Sequence, residues 1–363
     1  MKRLAWGSLA LIGLVAGLLF GGQAHAAAPR GGFNIITSPL PIKLSTPPGR
    51  TVTTELRMKN QGTSAEGIKV GLMKFGATGE NGVPDLFNLS PKDTYASWVS
   101  FSPSRFVAQP GVWQTVKMTI NVPADAGLGY YLAVTFSRDA TLDQKGATNL
   151  NGSVATLVLL NVESANEKRQ LQIVSFTADH NLFEYLPVNF NIRLHNPGNI
   201  YIAPAGNIFI NRGGKQVAVL VFNPAGGSVL PASNRLYTQP WSDGFPVFKP
   251  ISVNHKPITD GKGKPKMSLK WNFADLNKFR FGHYTAKLLV VYNNGQEDVP
   301  LQASVSFWVL PWKLMLLILI ILAVVGYGIW SLLRSGVAKT RKGAARVQQL
   351  RSNRGSKNDK PQS

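Results

Sequence analysis

Residues Thr51–Asn60 read TVTTELRMKN, and their order decides how the first half of the chain is built. Val52, Thr54, Leu56 and Met58 fall on one side of an extended backbone, and Thr53, Glu55, Arg57 and Lys59 on the other. Side chains alternate faces along a strand, so this pattern describes a sheet with one packed face and one wet face. A helix would place its apolar residues three and four apart instead.

Outward from that strand the same texture recurs between Gly, Pro and Asn. It is present in FNIIT (33–37), PIKLS (41–45), GIKVGLMKF (67–75), WVSFSP (98–103) and RFVAQ (105–109). VWQTVKMTINV (112–122), GYYLAVTFSR (129–138) and VATLVLLNVE (154–163) continue it. Short alternating segments punctuated by turn residues predict an all-β sandwich. Helical signals are nearly absent between Arg30 and Pro311.

The second half repeats the plan. RQLQIVSFTADH (169–180) and LPVNFNIRLHNPGN (186–199) open it, and GHYTAKLLVVYNNGQE (282–297) and VPLQASVSFWVL (299–310) close it. GNIFINRGGKQVAVLVF (206–222) reads as a hairpin turning at Arg212-Gly213-Gly214, because paired glycines tolerate positive φ. KNQG (59–62) matches HNPG (195–198), and GYYLAVTF (129–136) matches GHYTAKLLV (282–290), which suggests two related modules. The boundary is expected in the charged stretch Ser164-Ala165-Asn166-Glu167-Lys168.

The ends of the chain carry membrane signals. Leu314 to Leu333 are twenty consecutive residues without a formal charge, with Trp312 and Trp330 near the ends of the run. About twenty helical residues cross a hydrocarbon core, and amphipathic rings settle at headgroup level. Nine Lys and Arg then face only Asp359 in the last thirty residues, a flank that stays cytoplasmic. The first residues, MKRLAWGSLALIGLVAGLLFGGQAHAAAP, run from Lys2 and Arg3 through an apolar stretch to Ala24-His25-Ala26, a signal-peptide pattern whose alternative is an uncleaved anchor. The expected protein is a single-pass type I membrane protein of the cell membrane, with an extracellular N-terminal ectodomain and a cytoplasmic tail. The tail lacks the interleaved aromatics of a stacking platform, so it is read as a topology signal that also touches lipid, not as a nucleic-acid binder.

Between Ala27 and Leu333 there are 28 basic and 17 acidic residues, so the exported part favours anionic envelope components such as a wall polymer. The densest basic stretch is NHKPITDGKGKPKMSLK (254–270), where Lys256, Lys262, Lys264, Lys266 and Lys270 meet a single Asp260. Its Gly and Pro content predicts a loop, either plainly solvated or the contact for an anionic ligand. Trp241, in QPWSDGFPVF beside Pro and Gly, is the candidate exposed aromatic, while Trp98 and Trp113 alternate with polar residues as core plugs do. With no cysteine anywhere, disulfides, thiol catalysis and thiolate metal sites are excluded, and stability must come from hydrophobic cores.

Catalytic constellations are missing. His25, His180, His195, His255 and His283 form no spaced ligand set, and neither G-x-S-x-G nor S-x-x-K occurs in the setting its nucleophile needs. Asp139 and Asp143 lack the dense oxygen-ligand spacing of a calcium loop. No enzyme activity, cofactor or metal is expected. The segment 138–152, RDATLDQKGATNLNG, reads as a long turn or an elaborated binding hairpin.

The order of pieces resembles the WxL-interacting protein family of bacterial cell-surface proteins. The resemblance is carried by PPG (47–49) before the strand ending KNQG, by WVSFSP and QPGVWQTVKMTINVPADAGLGYYLAVTFS (109–137), and by LHNPGNIYIAPAGNIFI (194–210) ahead of one C-terminal helix. It implies an all-β chain: a signal peptide (1–26), an Ig-like domain of peptidoglycan-binding type (29–165), a second Ig-like domain of partner-binding type (166–311), a transmembrane helix (312–333) and a basic tail (334–363). It carries no catalytic motif over. The expected function is non-enzymatic binding of a cell-wall polymer, a surface protein partner or both. The alternative is an accessory, chaperone-like subunit that holds another exported protein by strand addition.

Overall fold

The computed structural model describes residues 33–139, 141–142, 152–253 and 256–355, with the side chains of 333 and 335–355 left aside. The expected signal peptide, most of the segment 138–152, Asp143 and His255 lie outside the described residues. The chain divides into unit 1, Met1–Phe75 with Leu86–Ser164, and unit 2, Gly76–Asp85 with Ala165–Ser363.

Unit 1 carries β1 (Ile35–Ser38), β2 (Ile42–Thr46), β3 (Thr51–Asn60), β4 (Glu66–Gly76) and β5 (Asp85–Phe87). It continues with β6 (Val99–Ser102), β7 (Arg105–Ala108), β8 (Trp113–Asn121), β9 (Leu128–Arg138) and β10 (Ser153–Val162). One sheet has the order β1-β3-β8-β6; the other runs β2-β10-β9-β4-β5, with β7 also beside β4. The alternation of β3 is realised as read: Leu56 and Met58 are fully buried, and Thr53, Glu55 and Arg57 face water. They meet Val116, Met118 and Ile120 of β8 and, from the other sheet, Ile68, Leu132, Val134, Phe136, Val158 and Leu160. Each such side chain contributes roughly 1.5–3 kcal/mol when fully buried. Without a disulfide, this inter-sheet core is what closes the sandwich.

Unit 2 carries β11 (Gln172–Ala178), β12 (Leu182–Phe183), β13 (Val188–Asn196), β14 (Ala205–Arg212), β15 (Lys215–Phe222) and β16 (Ser233–Trp241). Then come β17 (Val247–Pro250), β18 (Ser252–Val253), β19 (Lys256–Pro257), β20 (Met267–Lys270), β21 (Gly282–Asn293) and β22 (Asp298–Val309). Its sheets are β11-β13-β16 and β12-β22-β21-β14-β15. The predicted hairpin is β14–β15, and Gly213 and Gly214 take φ of 55° and 80° at its turn.

The two units share one connectivity. β1, β3 and β8 of the first correspond to β11, β13 and β16 of the second, and β2, β10, β9 and β4 to β12, β22, β21 and β14. In both, the second strand crosses to the opposite sheet and runs parallel to the last strand of the sandwich. The matched tetrapeptides are the same device. Asn60 ends β3 with its side chain buried, Nδ2 donating to the Ser64 and Ala108 carbonyls at 2.7 and 3.0 Å and Oδ1 accepting from Gly62 N at 2.8 Å. Asn196 ends β13 in the same way, on Ile200 O, Val229 O and Gly198 N at 2.8, 3.0 and 2.9 Å. An asparagine fits both corners because one side chain offers two donors and an acceptor where the chain leaves the sheet.

The helix α1 (Trp312–Gly355) follows β22 after Leu310 and Pro311. Its apolar stretch, Trp312–Leu332, has mean hydropathy 2.5, and none of it is buried against the rest of the protein. At about 1.5 Å per residue its length matches a hydrocarbon core of about 30 Å. The helix runs well past Leu333, where the sequence reading ended it, through a stretch rich in Arg, Ala, Lys and Gln, all good helix formers.

Candidate functional site

Sandwich proteins bind through sheet edges and end loops, so the edges are the first place to look. In unit 1, the edge strands β1, β2, β5, β6 and β7 have only three to five residues each. In unit 2, β12 has two, and β11 is interrupted by a bulge between Ile173 and Ser175. β16 is longer, but Leu236 N on it already donates to the carbonyl of Glu80 at 2.7 Å, and the Glu80 carboxylate pairs with Arg193 at 2.8 Å. That leaves two long open edges among the described residues: Asp298–Phe307 of β22, which β12 covers only at Trp308 and Val309, and β15, eight residues with a bulge at Val217. The exposed positions of the β22 edge include Pro300, Gln302, Ser304 and Ser306, so of the two only β15 offers an apolar outer face.

β15 is apolar on both faces. Ala218, Leu220 and Phe222 turn toward the core, while Val219 and Val221 turn outward and are 45% and 58% exposed. The register sets Val219 beside Phe209 and Val221 beside Asn207 on β14, and Leu289 of β21 stands next to Asn207. The end of the strand is held in place: the Tyr237 ring meets Phe222 edge-on at 4.9 Å, and its hydroxyl donates to Gly227 O at 3.0 Å. Burial pushes the Tyr237 phenol up to about 12, so the ring stays neutral. From Ala218 to Phe222, beyond the bulge at Val217, β15 is an exposed, apolar edge of the kind that templates a further strand.

The lysine-rich stretch differs from its sequence reading. It is not an open loop but a branched β arm whose stem pairs β17 with β20, from Val247 opposite Lys270 to Pro250 opposite Met267. At the end of the stem three backbone bonds close a triangle: Ile251 N to Lys266 O, Lys266 N to Ile258 O, and Ile258 N to Ile251 O, each 2.8 Å. Two short hairpins leave this junction, one through β18 and β19 and one through the turn at Asp260. Asp260 Oδ1 accepts from the amides of Lys262 and Lys264 at 2.8 and 2.9 Å, so the lone acidic residue builds the turn. Glycine and proline marked turns correctly; the error was to treat closely spaced turns as the absence of pairing. Lys256, Lys262, Lys264, Lys266 and Lys270 are all exposed, and none pairs with a carboxylate among the described residues.

Trp241 requires a correction. It is fully buried at the end of β16, with Tyr284 at 5.3 Å and Phe307 at 6.1 Å, and the Arg280 guanidinium 5.6 Å from its ring centre. The adjacent Pro240 suggested a loop, but β16 is an edge strand, where a missing amide costs the ladder nothing. Trp113, expected in the core, is 39% exposed at the start of β8 beneath Arg57, because the alternation of that strand puts Val116 and Met118 inward. Trp98 is half-buried, 4.9 Å from Tyr130 and 6.3 Å from Tyr95. The residues missed by sequence reasoning are Val219 and Val221, whose only signal is the uninterrupted apolar run VAVLVF.

The perturbed carboxylates have structural explanations. Asp93 accepts from Ser90 N at 2.6 Å and pairs with Lys74 at 2.9 Å, contacts that hold it well below the usual carboxylate range. Its charge, with burial first, pushes Tyr95 up to about 12. Asp139 is lowered by Thr141, which gives it both hydroxyl and amide hydrogen bonds. Among the described residues no three His, Cys, Asp or Glu side chains gather as a metal-binding group.

No family model and no curated protein matches the sequence. Among solved structures, the class 5 fimbriae chaperone CfaA is similar at 16% identity over 66% of this chain and all of that one, with a TM-score of 0.33. The E. coli chaperone DraB is similar at 12% identity over 75% of this chain and 96% of that one, TM-score 0.33. The Salmonella enterica SafA pilin–SafB chaperone structure is similar at 11% over 76% and 99%, TM-score 0.33. At TM-scores this low the likeness says nothing about what this chain binds. What the coordinates themselves define is an all-β protein of two tandem Ig-like sandwiches followed by one helix long and apolar enough to cross a membrane.

Proposed function

We propose that the chain is a non-enzymatic, membrane-anchored envelope protein that holds a second exported protein by strand addition to β15. The observation that carries this reading is the apolar outer face of that open edge, with Val219 and Val221 turned to solvent. The complement is an extended segment of alternating apolar residues, whose amides and carbonyls would complete the ladder while its side chains cover the valines. An outward-facing ectodomain fits the basic residues that follow the apolar stretch of α1 from Arg334 onward. The architecture that resembles the WxL-interacting family agrees with a binding role at a cell surface.

The test is a photo-crosslinking residue at Val221 of the full chain in its own membranes, with Lys117, exposed on β8, as control. A discrete protein adduct from position 221 and none from 117 is expected. No adduct from 221, or the same adducts from both positions, overturns the proposal.

A further inference from the structure

β22 ends at Val309, paired with Gly282 at the start of β21, and α1 begins three residues later. The end of unit 2 that carries these residues is therefore the end that meets the helix. Leu310 N donates to Phe183 O at 2.7 Å, and Lys313 on the first turn pairs with Glu184 at 2.8 Å. The β arm springs from the same end. Its root, Val247, bridges Leu186, and Phe248 N donates to Leu186 O at 2.8 Å.

Between the arm and β21 lies a ledge of exposed apolar residues: Trp271 at 48%, Phe273 at 71%, Leu276 at 61% and Phe279 at 41% exposed. Trp271 and Phe273 stack at 6.4 Å with their planes 28° apart, and buried Phe245 supports both from 5.7 and 5.5 Å. Tyr185, next to the Glu184 that holds α1, lies 6.4 Å from Trp271. Residues 247–281 contain eight Lys or Arg and two Asp. Of the acidic groups at this end, Asp243 and Asp275 are engaged by Lys278, and Asp243 also by Arg280, while Asp260 is spent on its turn. Asp260 keeps its charge beside Lys262 and Lys264, so the arm tip carries a net excess of lysine, not a balanced set. The four-pair stem carries Lys256, Lys262, Lys264 and Lys266 about 13 Å out at about 3.3 Å per residue, with Lys270 left at its root.

The geometry points to a docking surface for the anionic bilayer in which α1 is anchored, with the Trp271–Phe279 ledge entering the headgroup layer and the arm lysines meeting lipid phosphates. Exposed aromatics beside a basic cluster are what an interfacial segment requires. Here they are attached where the chain itself enters the helix, so the bilayer lies within reach without diffusion. The inference rests on α1 spanning a membrane and not on strand addition at β15.

The test exploits the absence of cysteine. Gly261→Cys at the arm tip and, separately, Gly326→Cys within α1 are unique labelling sites, and a Cβ at either meets nothing within 4 Å. Each full-length variant carries an environment-sensitive dye and sits in nanodiscs of phosphatidylcholine with or without phosphatidylglycerol. The dye at 261 is expected to shift blue and to be quenched by a lipid-borne nitroxide in the anionic discs. Both effects are expected to be lost in pure phosphatidylcholine, in Lys262→Glu/Lys264→Glu/Lys266→Glu, and in Trp271→Ser/Phe273→Ser. Equal emission in both lipids without quenching overturns the inference. So does a shift produced by soluble poly(glycerol phosphate) without lipid quenching, which assigns the arm to a wall polymer. The dye at 326 reports the anchor separately: quenched in both lipids if α1 spans, and unquenched if the premise itself fails.

Discussion

The twin asparagine corners give a prediction whose size follows from the coordinates. Asn196→Ala removes three hydrogen bonds from a side chain with no exposure to water. Each contributes about 1 kcal/mol net, so their loss costs about 3 kcal/mol. The cavity left by the amide adds little, but the stranded groups do not relax equally. Val229 O keeps the Ile202 amide at 3.0 Å, whereas Ile200 O and Gly198 N lose their side-chain partner at a buried site. The expected total is therefore about 3–5 kcal/mol, a large share of the about 5–15 kcal/mol typical of a domain. Asn60→Ala should cost a similar amount in unit 1, where the bond set is the same. Native-state hydrogen exchange on the full chain in detergent reads each unit through its own peptides: β13 and β16 for the first substitution, β3 and β8 for the second. A loss below about 1 kcal/mol at either corner would refute the claim that these side chains close the sandwiches.

Other substitutions separate binding from packing. Val219 and Val221 are each about half exposed, so a partner strand that covers them recovers about 1 kcal/mol per residue. Val219→Ser/Val221→Ser should weaken partner retention about 30-fold with little change in thermal stability, and unchanged retention sinks the edge assignment. Trp241→Ala should destabilise unit 2 by about 3–5 kcal/mol, whereas Trp271→Ala should stay within about 0.5 kcal/mol; equal effects in urea titrations would contradict the burial described. Asp93 is depressed in the folded state, so its contribution is complete above the unfolded value of about 4 and drains as pH falls below it. Asp93→Asn should lower the stability of unit 1 at neutral pH and flatten its decline in acid; an acid limb as steep as that of the unaltered chain refutes this.

The strands of both sandwiches were largely legible because alternation is local: Leu56 and Met58 mark the packed face of β3 whatever stands opposite. The asparagine tetrapeptides were visible as a repeat, although the buried bonds that make them equivalent depend on Ala108 and Val229, far away in sequence. β16 escaped because SNRLYTQPW has no clean alternation and ends beside a proline. The arm escaped for a related reason, since its pairing is spread over three hairpins of a few residues each. Trp241 and Trp113 exchanged roles because neighbouring Gly and Pro report chain direction, not which face of a sheet is covered.

What the sequence determined alone was the alternation, the punctuation between strands and the uncharged run from Leu314 to Leu333, each a property of a few contiguous residues. Which strands became edges, and that β15 was left open while Glu80 met β16, depended on pairing between segments more than a hundred residues apart. The same holds for the gathering of aromatic ledge, lysine arm and helix entry at one end of unit 2. Exposure is a property of what packs nearby, and only the closed fold brings those neighbours together.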